Sequence, residues 1–226
     1  MFCYPGGLRG VEWDGQFDDQ FKISINFPQN YHLKKDDLHN NYYVTEFKYS
    51  TIIGGFSLVF SNGFGAFLPL NTDSSYTHLQ LISHVENALC TTINHKYAFV
   101  VFGLQSSNGV ICSYDEIDHR FIVSSQLILP PNLYPDVDKI LGPLCSLQWT
   151  PDSTVLATVW KNGGFAMWSV FGSLLSCSLS WNQSSVDIDS KMHLGPFRVC
   201  SLAFGKEGFH LWMSTRSLPQ NELVDF

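Results

Sequence analysis

Apolar and polar residues alternate in short bursts along this chain, and the bursts recur in one order. The clearest instance is residues 144–179, LCSLQW-TPDS-TVLATVW-KNGG-FAMWSVF-GS-LLSCSL. In 144–149, Leu144, Ser146 and Gln148 alternate with Cys145, Leu147 and Trp149, the period-two pattern of a strand. Thr150-Pro151-Asp152-Ser153 predicts a turn, because Pro151 presets φ and Asp152 can bond nearby backbone. Residues 155–160 are β-branched, aromatic and almost wholly apolar, as in a strand covered on both faces. Asn162-Gly163 predicts a two-residue hairpin with positive φ. A third strand around Trp168 follows at 165–170, and Gly172-Ser173 turns the chain into a fourth at 174–179. Four strands joined by tight turns in about 36 residues make a unit the size of one propeller blade.

The same order appears upstream. Residues 88–93 (ALCTTI), 97–102 (YAFVVF), Asn108-Gly109, 110–114 and 121–127 repeat it. Before them come 43–47, 56–60, Asn62-Gly63 and 64–68, followed by a Ser/Thr-rich loop and an edge strand within 71–81. The Asn-Gly pairs begin at 62, 108 and 162, separated by 46 (108 − 62) and 54 (162 − 108) residues. That is close to the ~40–45-residue blade period with loop insertions. A further copy starts at 199–204 (VCSLAF) and 208–213 (GFHLWM), without its Asn-Gly. Near the start, 8–13 (LRGVEW) predicts a strand closed by Asp14-Gly15, and Trp13-Asp14 is similar to the WD dipeptide of such repeats. Phe21, Ile23, Ile25 and Phe27 alternate as a strand that Pro28 stops. Lys34-Lys35-Asp36-Asp37 reads as a solvated loop tip, and Pro130-Pro131-Asn132-Leu133-Tyr134-Pro135 with 136–139 as a surface insertion between blades.

The fold expected is all-β: a WD-repeat-like β-propeller, incomplete, over residues 1–226. Its full blades are expected at 43–81, 88–129 and 144–179, with partial blades at 7–27 and 197–214. An end blade leaves an apolar face wet, and propellers close on 4–8 blades. Three full copies with ragged ends therefore predict a segment of a longer chain.

Composition narrows the functions. With 45% hydrophobic residues the chain is not expected to be disordered, and its 20 acids against 13 bases, net −7, argue against nucleic acid as a partner. No apolar run reaches ~18 residues, so no transmembrane helix is expected. MFCYPGGLRG lacks the basic-then-apolar order of a signal peptide. None of the six cysteines lies in a CxxC; Cys90, Cys145 and Cys200 read as one blade position carrying a small buried side chain, in preference to a disulfide framework. Asn182-Gln183-Ser184 fits a glycosylation sequon, read as chance without an export signal.

No catalytic, cofactor-binding or metal-ligating residue is assigned. GxxxxGK[ST], HExxH and GxSxG are absent, and the eight histidines are scattered. Asp18-Asp19 and Asp36-Asp37 are adjacent carboxylates whose side chains would point oppositely in an extended chain. Phe60, Phe102 and Trp160 read as equivalent core positions and not as a binding box.

Trp149, Pro151-Asp152, Trp160, Gly163-Gly164 and Met167-Trp168-Ser169-Val170-Phe171-Gly172 carry a resemblance. In this order they are similar to the N-terminal propeller of the Ric-one family, whose pattern has Ser at Thr150 and Leu at Met167. That family is the larger subunit of a two-protein guanine-nucleotide exchange complex for a Golgi Rab GTPase. Asn94-His95-Lys96-Tyr97, Phe102-Gly103, Leu133-Tyr134-Pro135-Asp136, 56–63 and 205–212 extend the likeness, which covers most of residues 7–214 and matches poorly over 181–196. The resemblance implies a non-catalytic scaffold with no cofactor, paired with a smaller arrestin-like subunit and docked on the Golgi Rab. It implies a cytosolic protein, peripheral at the Golgi membrane, that supports retrograde traffic from endosomes. It carries over no exchange residue. The alternatives are a WD-repeat scaffold of another trafficking or coat complex, and an enzyme built on a propeller.

Overall fold

The computed structural model describes residues 2–4, 7–11, 16–24, 43–70, 79–131, 141–162, 164–178, 197–204 and 211–217; for 2–4, 7–11, 17–24, 178, 197–204 and 211–217 it describes the backbone alone. Trp13-Asp14, Pro28, Lys34–Asp37, the sequon and residues 132–139 lie outside them.

Among the described residues five antiparallel sheets follow one another, each a meander in chain order. The first holds β1 (Phe2–Tyr4), β2 (Gly7–Val11) and β3 (Phe17–Ser24). The second holds β4 (Val44–Ser50), β5 (Gly55–Phe60), β6 (Gly65–Pro69) and β7 (Gln80–Leu81). The third holds β8 (Ala88–Asn94), β9 (Phe99–Leu104), β10 (Gly109–Asp115) and β11 (Arg120–Leu127). The fourth holds β12 (Leu144–Trp149), β13 (Val155–Trp160), β14 (Phe165–Ser169) and β15 (Leu174–Ser178). The fifth pairs β16 (Phe197–Phe204) with β17 (Leu211–Ser217).

The sheets pack as propeller blades. β4 touches β8, β8 touches β12 and β12 touches β16, so successive first strands stand side by side along the inner edge. Each second strand also meets the next first strand, β5 with β8, β9 with β12 and β13 with β16. β1 also meets β4, which sets the first sheet beside the second. Three four-stranded blades are thus flanked, among the described residues, by one of three strands and one of two.

Burial explains why the inner strands are apolar on both faces. Phe56, Leu58 and Phe60 of β5 join one cluster with Val44, Ala66 and Leu68, while Val59 faces the other way into a cluster with Val85, Phe102 and Val110. The largest cluster lies between the third and fourth blades and joins Cys90, Val101, Ile111 and Leu127 to Leu144, Leu147, Trp160 and Trp168.

Pairing sets the repeat register. Val44 lies opposite Phe60, Ala88 opposite Leu104 and Leu144 opposite Trp160. Leu104, and not Phe102, is therefore the counterpart of Phe60 and Trp160; Phe102 corresponds to Leu58 and Thr158, as shown by Phe47↔Leu58, Thr91↔Phe102 and Leu147↔Thr158. Each first strand has a bulge after its opening residue, at 44/46, 88/90 and 144/146, and again at 199/201. The bulge residue is Leu89 in one blade and Cys145 in the next. Cys145 and Cys200 are thus equivalent, but Cys90 falls one position later, level with Ser146. The extra residue of a bulge escapes a reading based on alternation alone.

The Asn-Gly hairpins also differ from expectation. Phe60 N donates to Phe64 O at 3.0 Å, Gly63 N donates to Phe60 O at 2.8 Å, and Gly63 has φ 83°. This is a three-residue loop, a type I turn followed by a left-handed residue, which suits the strand twist as a primed two-residue turn does. Leu104 N donates to Asn108 O at 2.8 Å, with Ser107 at φ 68°. Trp160 N donates to Gly164 O at 3.3 Å, with Gly164 at φ 93°. Asn108 therefore sits level with Phe64 and Gly164, two places beyond the equivalents of Asn62 and Asn162. None of the three asparagines has a positive φ.

Two strands start later than alternation suggests. Asn94 Oδ1 accepts both Lys96 N and Tyr97 N, at 2.9 and 3.0 Å, which holds 95–98 in a turn and delays β9 to Phe99. Near the termini, β1 is an additional strand, β3 begins at Phe17, and β17 begins at Leu211 and not at 208. The Thr150–Ser153 turn forms as expected: Asp152 Oδ1 accepts Thr154 N at 3.2 Å and Thr150 Oγ1 at 2.6 Å. These hydrogen bonds hold the exposed Asp152 carboxyl below the usual range.

The cysteine thiols follow their burial. Cys90 and Cys112 are buried thiols, and Cys145 and Cys177 are half-buried. Burial pushes the Cys112 thiol up to about 12 and raises Cys90 as well. In the native protein, iodoacetamide at pH 8 should therefore spare Cys90 and Cys112 until denaturant is added, because the thiolate is the reacting form. Peptide mass spectrometry reads the order, and early labelling of Cys112 contradicts the packing.

Candidate functional site

Two faces of the propeller carry loops. On one, the first strands end and turn into the second strands; on the other lie the three-residue hairpins.

The first face holds a cavity of about 360 Å³ that reaches across three blades. Lys48 and Tyr49 come to it from the end of β4, Thr92 and Ile93 from β8, and Gln148 and Trp149 from β12. His95, Thr150, Pro151 and Ser153 complete the wall from the turns that follow. The inner position of the first strands brings together residues that the sequence separates by 105 places (153 − 48).

Polar contacts brace this face. Asn94 Nδ2 donates to Ser153 O at 2.8 Å and ties the third blade to the fourth. His95 Nδ1 and Ser50 Oγ lie 3.0 Å apart and tie the second blade to the third. Tyr49 packs on Phe56 with ring centres 4.9 Å apart. Lys48 Nζ is 3.8 Å from Glu46 Oε1, a loose and partly exposed pair that contributes little. Burial raises the Glu46 carboxyl, opposed by Lys48 and by a Thr91 backbone hydrogen bond. One polar group is unmet: Trp149 is 5% exposed, and its Nε1 is shut from solvent without a hydrogen-bond partner.

Exposed aromatics stand at turns, Tyr97 close in sequence to His95 of the wall and Phe171 between β14 and β15. Lys96 Nζ lies 5.3 Å from the Tyr97 ring centre, and Phe99 meets the 69%-exposed Phe171 edge-on at 6.3 Å. The opposite face has a cavity of about 370 Å³ between the second and third blades, lined by Thr45, Ser61, Asn62, Asn87, Leu89 and Gln105 among others.

Among the described residues no group of three or more His, Cys, Asp or Glu side chains could hold a metal ion. His84 and His119 sit at turns with left-handed backbones. His32, His39, His78, His193, His210 and Asp36-Asp37 lie outside the described residues, and of Asp18-Asp19 only the backbone of β3 is described. Phe60, Phe102 and Trp160 are core residues. Sequence reasoning missed Trp149 as a lone donor: a tryptophan closing an alternating strand reads as core, and only packing reveals that its N–H has no acceptor.

Similarity to known proteins extends over nearly the whole chain. It is 26% identical over 230 residues, 97% of its length, to the human guanine nucleotide exchange factor subunit RIC1. It is 26% identical over 92% of its length to the mouse protein of that name, and 26% identical over 99% to the Caenorhabditis elegans guanine nucleotide exchange factor subunit R06F6.8. These curated homologues are much longer, and the chain spans only 15–16% of them. No family model matches the chain. Among solved structures, a chain of the mitotic checkpoint complex aligns over 94% of this chain and 51% of its own, with TM-score 0.59 at 13% identity. A Bacteroides uniformis protein described as a 6-phosphogluconolactonase aligns over 92% of this chain and 56% of its own, with TM-score 0.58 at 12% identity. At such identities these structures speak to the fold alone.

Proposed function

We propose that this chain is part of a propeller in a guanine-nucleotide exchange factor subunit, where it acts as a non-catalytic scaffold. The observation that carries this reading is the 26% identity over 97% of the chain to a protein named as such a subunit. The finer reading rests on the resemblance of Trp149, Pro151-Asp152 and Met167-Trp168-Ser169-Val170-Phe171-Gly172 to the Ric-one pattern. The GTPase is a Golgi Rab, the second component a smaller arrestin-like subunit, and the setting retrograde transport from endosomes, at a Golgi membrane reached from the cytosol. An exchange factor works by binding the nucleotide-free GTPase better than the loaded one. A rigid multi-blade surface suits that task, since it orders partners without donating or accepting protons.

The test uses the full-length subunit, purified with its smaller partner, and follows release of fluorescent GDP from the Golgi Rab. Release should accelerate, and deletion of residues 44–178 should abolish co-purification or Rab docking. Unchanged release, with no smaller subunit retained, refutes the exchange reading and leaves a scaffold of another trafficking or coat complex.

A further inference from the structure

We infer that the three-blade cavity at the ends of β4, β8 and β12 is a binding site for an acidic side chain of a peptide segment, received by Trp149 and Lys48. Three observations meet there. The chain carries net charge −7, yet the residues lining this cavity include Lys48 and His95 and no Asp or Glu. Lys48 makes a loose 3.8 Å pair with Glu46, so an arriving carboxylate can compete for it. Trp149 is 5% exposed and its indole N–H lacks any acceptor.

Buried donors in native proteins are nearly always satisfied, and an unsatisfied one is costly. An acceptor that enters the cavity and meets the indole after a small ring shift relieves that cost and binds by the same amount. A carboxylate fits best, because an ionised acceptor bonds the indole N–H more strongly than a neutral one, and the Lys48 ammonium on the wall of the same cavity favours its charge. Tyr49, the Tyr97–Lys96 pair and Phe171 give the flanking residues of an extended peptide a surface to lie on. The site is independent of any exchange activity.

The experiment pans a phage-displayed random heptapeptide library against the full-length subunit, with the Trp149→Phe variant as counter-target. Peptides containing Asp or Glu should be enriched on the native protein. A synthetic winner should bind Trp149→Phe about tenfold or more weakly, the loss expected for a hydrogen bond to a charged acceptor. Replacing its acid by the amide should weaken it similarly. Trp149→Phe breaks no hydrogen bond in the free protein, so any fall in its melting temperature reports only the smaller ring left in the core. Should that variant misfold, Lys48→Gln serves instead, with a twofold to fivefold loss expected. Failure to enrich acidic peptides, or equal binding to the native protein and both variants, overturns the site.

Discussion

Trp160→Ala should lower the unfolding free energy of the native protein by about 3–5 kcal/mol, the range for deleting a fully buried large aromatic. Trp160 is 1% exposed within the cluster that joins the third and fourth blades. Its loss opens a cavity at an inter-blade seam that β-sheet pairing holds on both sides, so collapse can fill little of it. The indole also donates from Nε1 to Ser107 O at 2.7 Å, a bond from β13 to the hairpin tip of the preceding blade. Ser107 Oγ in turn donates to Gly142 O at 2.6 Å, at the approach to β12. Trp160 thus couples two blades by packing and by hydrogen bonding. Trp160→Phe separates the two effects: it keeps much of the ring volume but leaves the Ser107 carbonyl without its indole donor, so about 1–3 kcal/mol should be lost. Urea unfolding of the native protein and both variants reads these values. A loss under 1 kcal/mol in Trp160→Ala contradicts the seam described.

Gly63→Ala is the second large effect, and Gly54→Ala is its control. Both glycines have left-handed backbones, at φ 83° and 65°. A Cβ at Gly54 meets nothing within 4 Å, so only the conformational cost of about 1–2 kcal/mol applies there. A Cβ at Gly63 would lie 2.7 Å from Asn87 Cα and 2.9 Å from Asn87 N. Those are backbone atoms that cannot swing aside, and Ala88 N donates to Gly63 O at 2.8 Å across the same contact. Overpacking adds about 1–3 kcal/mol to the conformational cost. Gly63→Ala should therefore melt well below Gly54→Ala. Equal melting temperatures would show that the hairpin tip does not press on the next blade.

The third blade handles the same position differently. Ser107 stands there in a left-handed conformation at φ 68°, although it carries a Cβ. Its hydroxyl bond to Gly142 O offsets part of the strain, so the turn remains without glycine. A reading that looks for Asn-Gly finds the dipeptide two residues further on, at Asn108-Gly109, and aligns the blades on the wrong pair.

Much of this protein is nonetheless legible along the chain. The apolar runs that became β5, β9 and β13, the Thr150–Ser153 turn, and the three-fold repeat of a four-strand meander all follow from alternation and turn chemistry. Those signals act between residues a few places apart, so they survive without knowledge of the fold. Register does not: whether Phe102 matches Trp160 depends on the Asn94 turn that delays β9 to Phe99, and whether Cys90 matches Cys145 depends on which residue of each first strand is the bulge. Its placement is settled by pairing and packing summed over whole strands. The unmet donor of Trp149 and the cavity it lines arise only when three first strands stand side by side, because burial of a polar group is a property of neighbours far away in sequence.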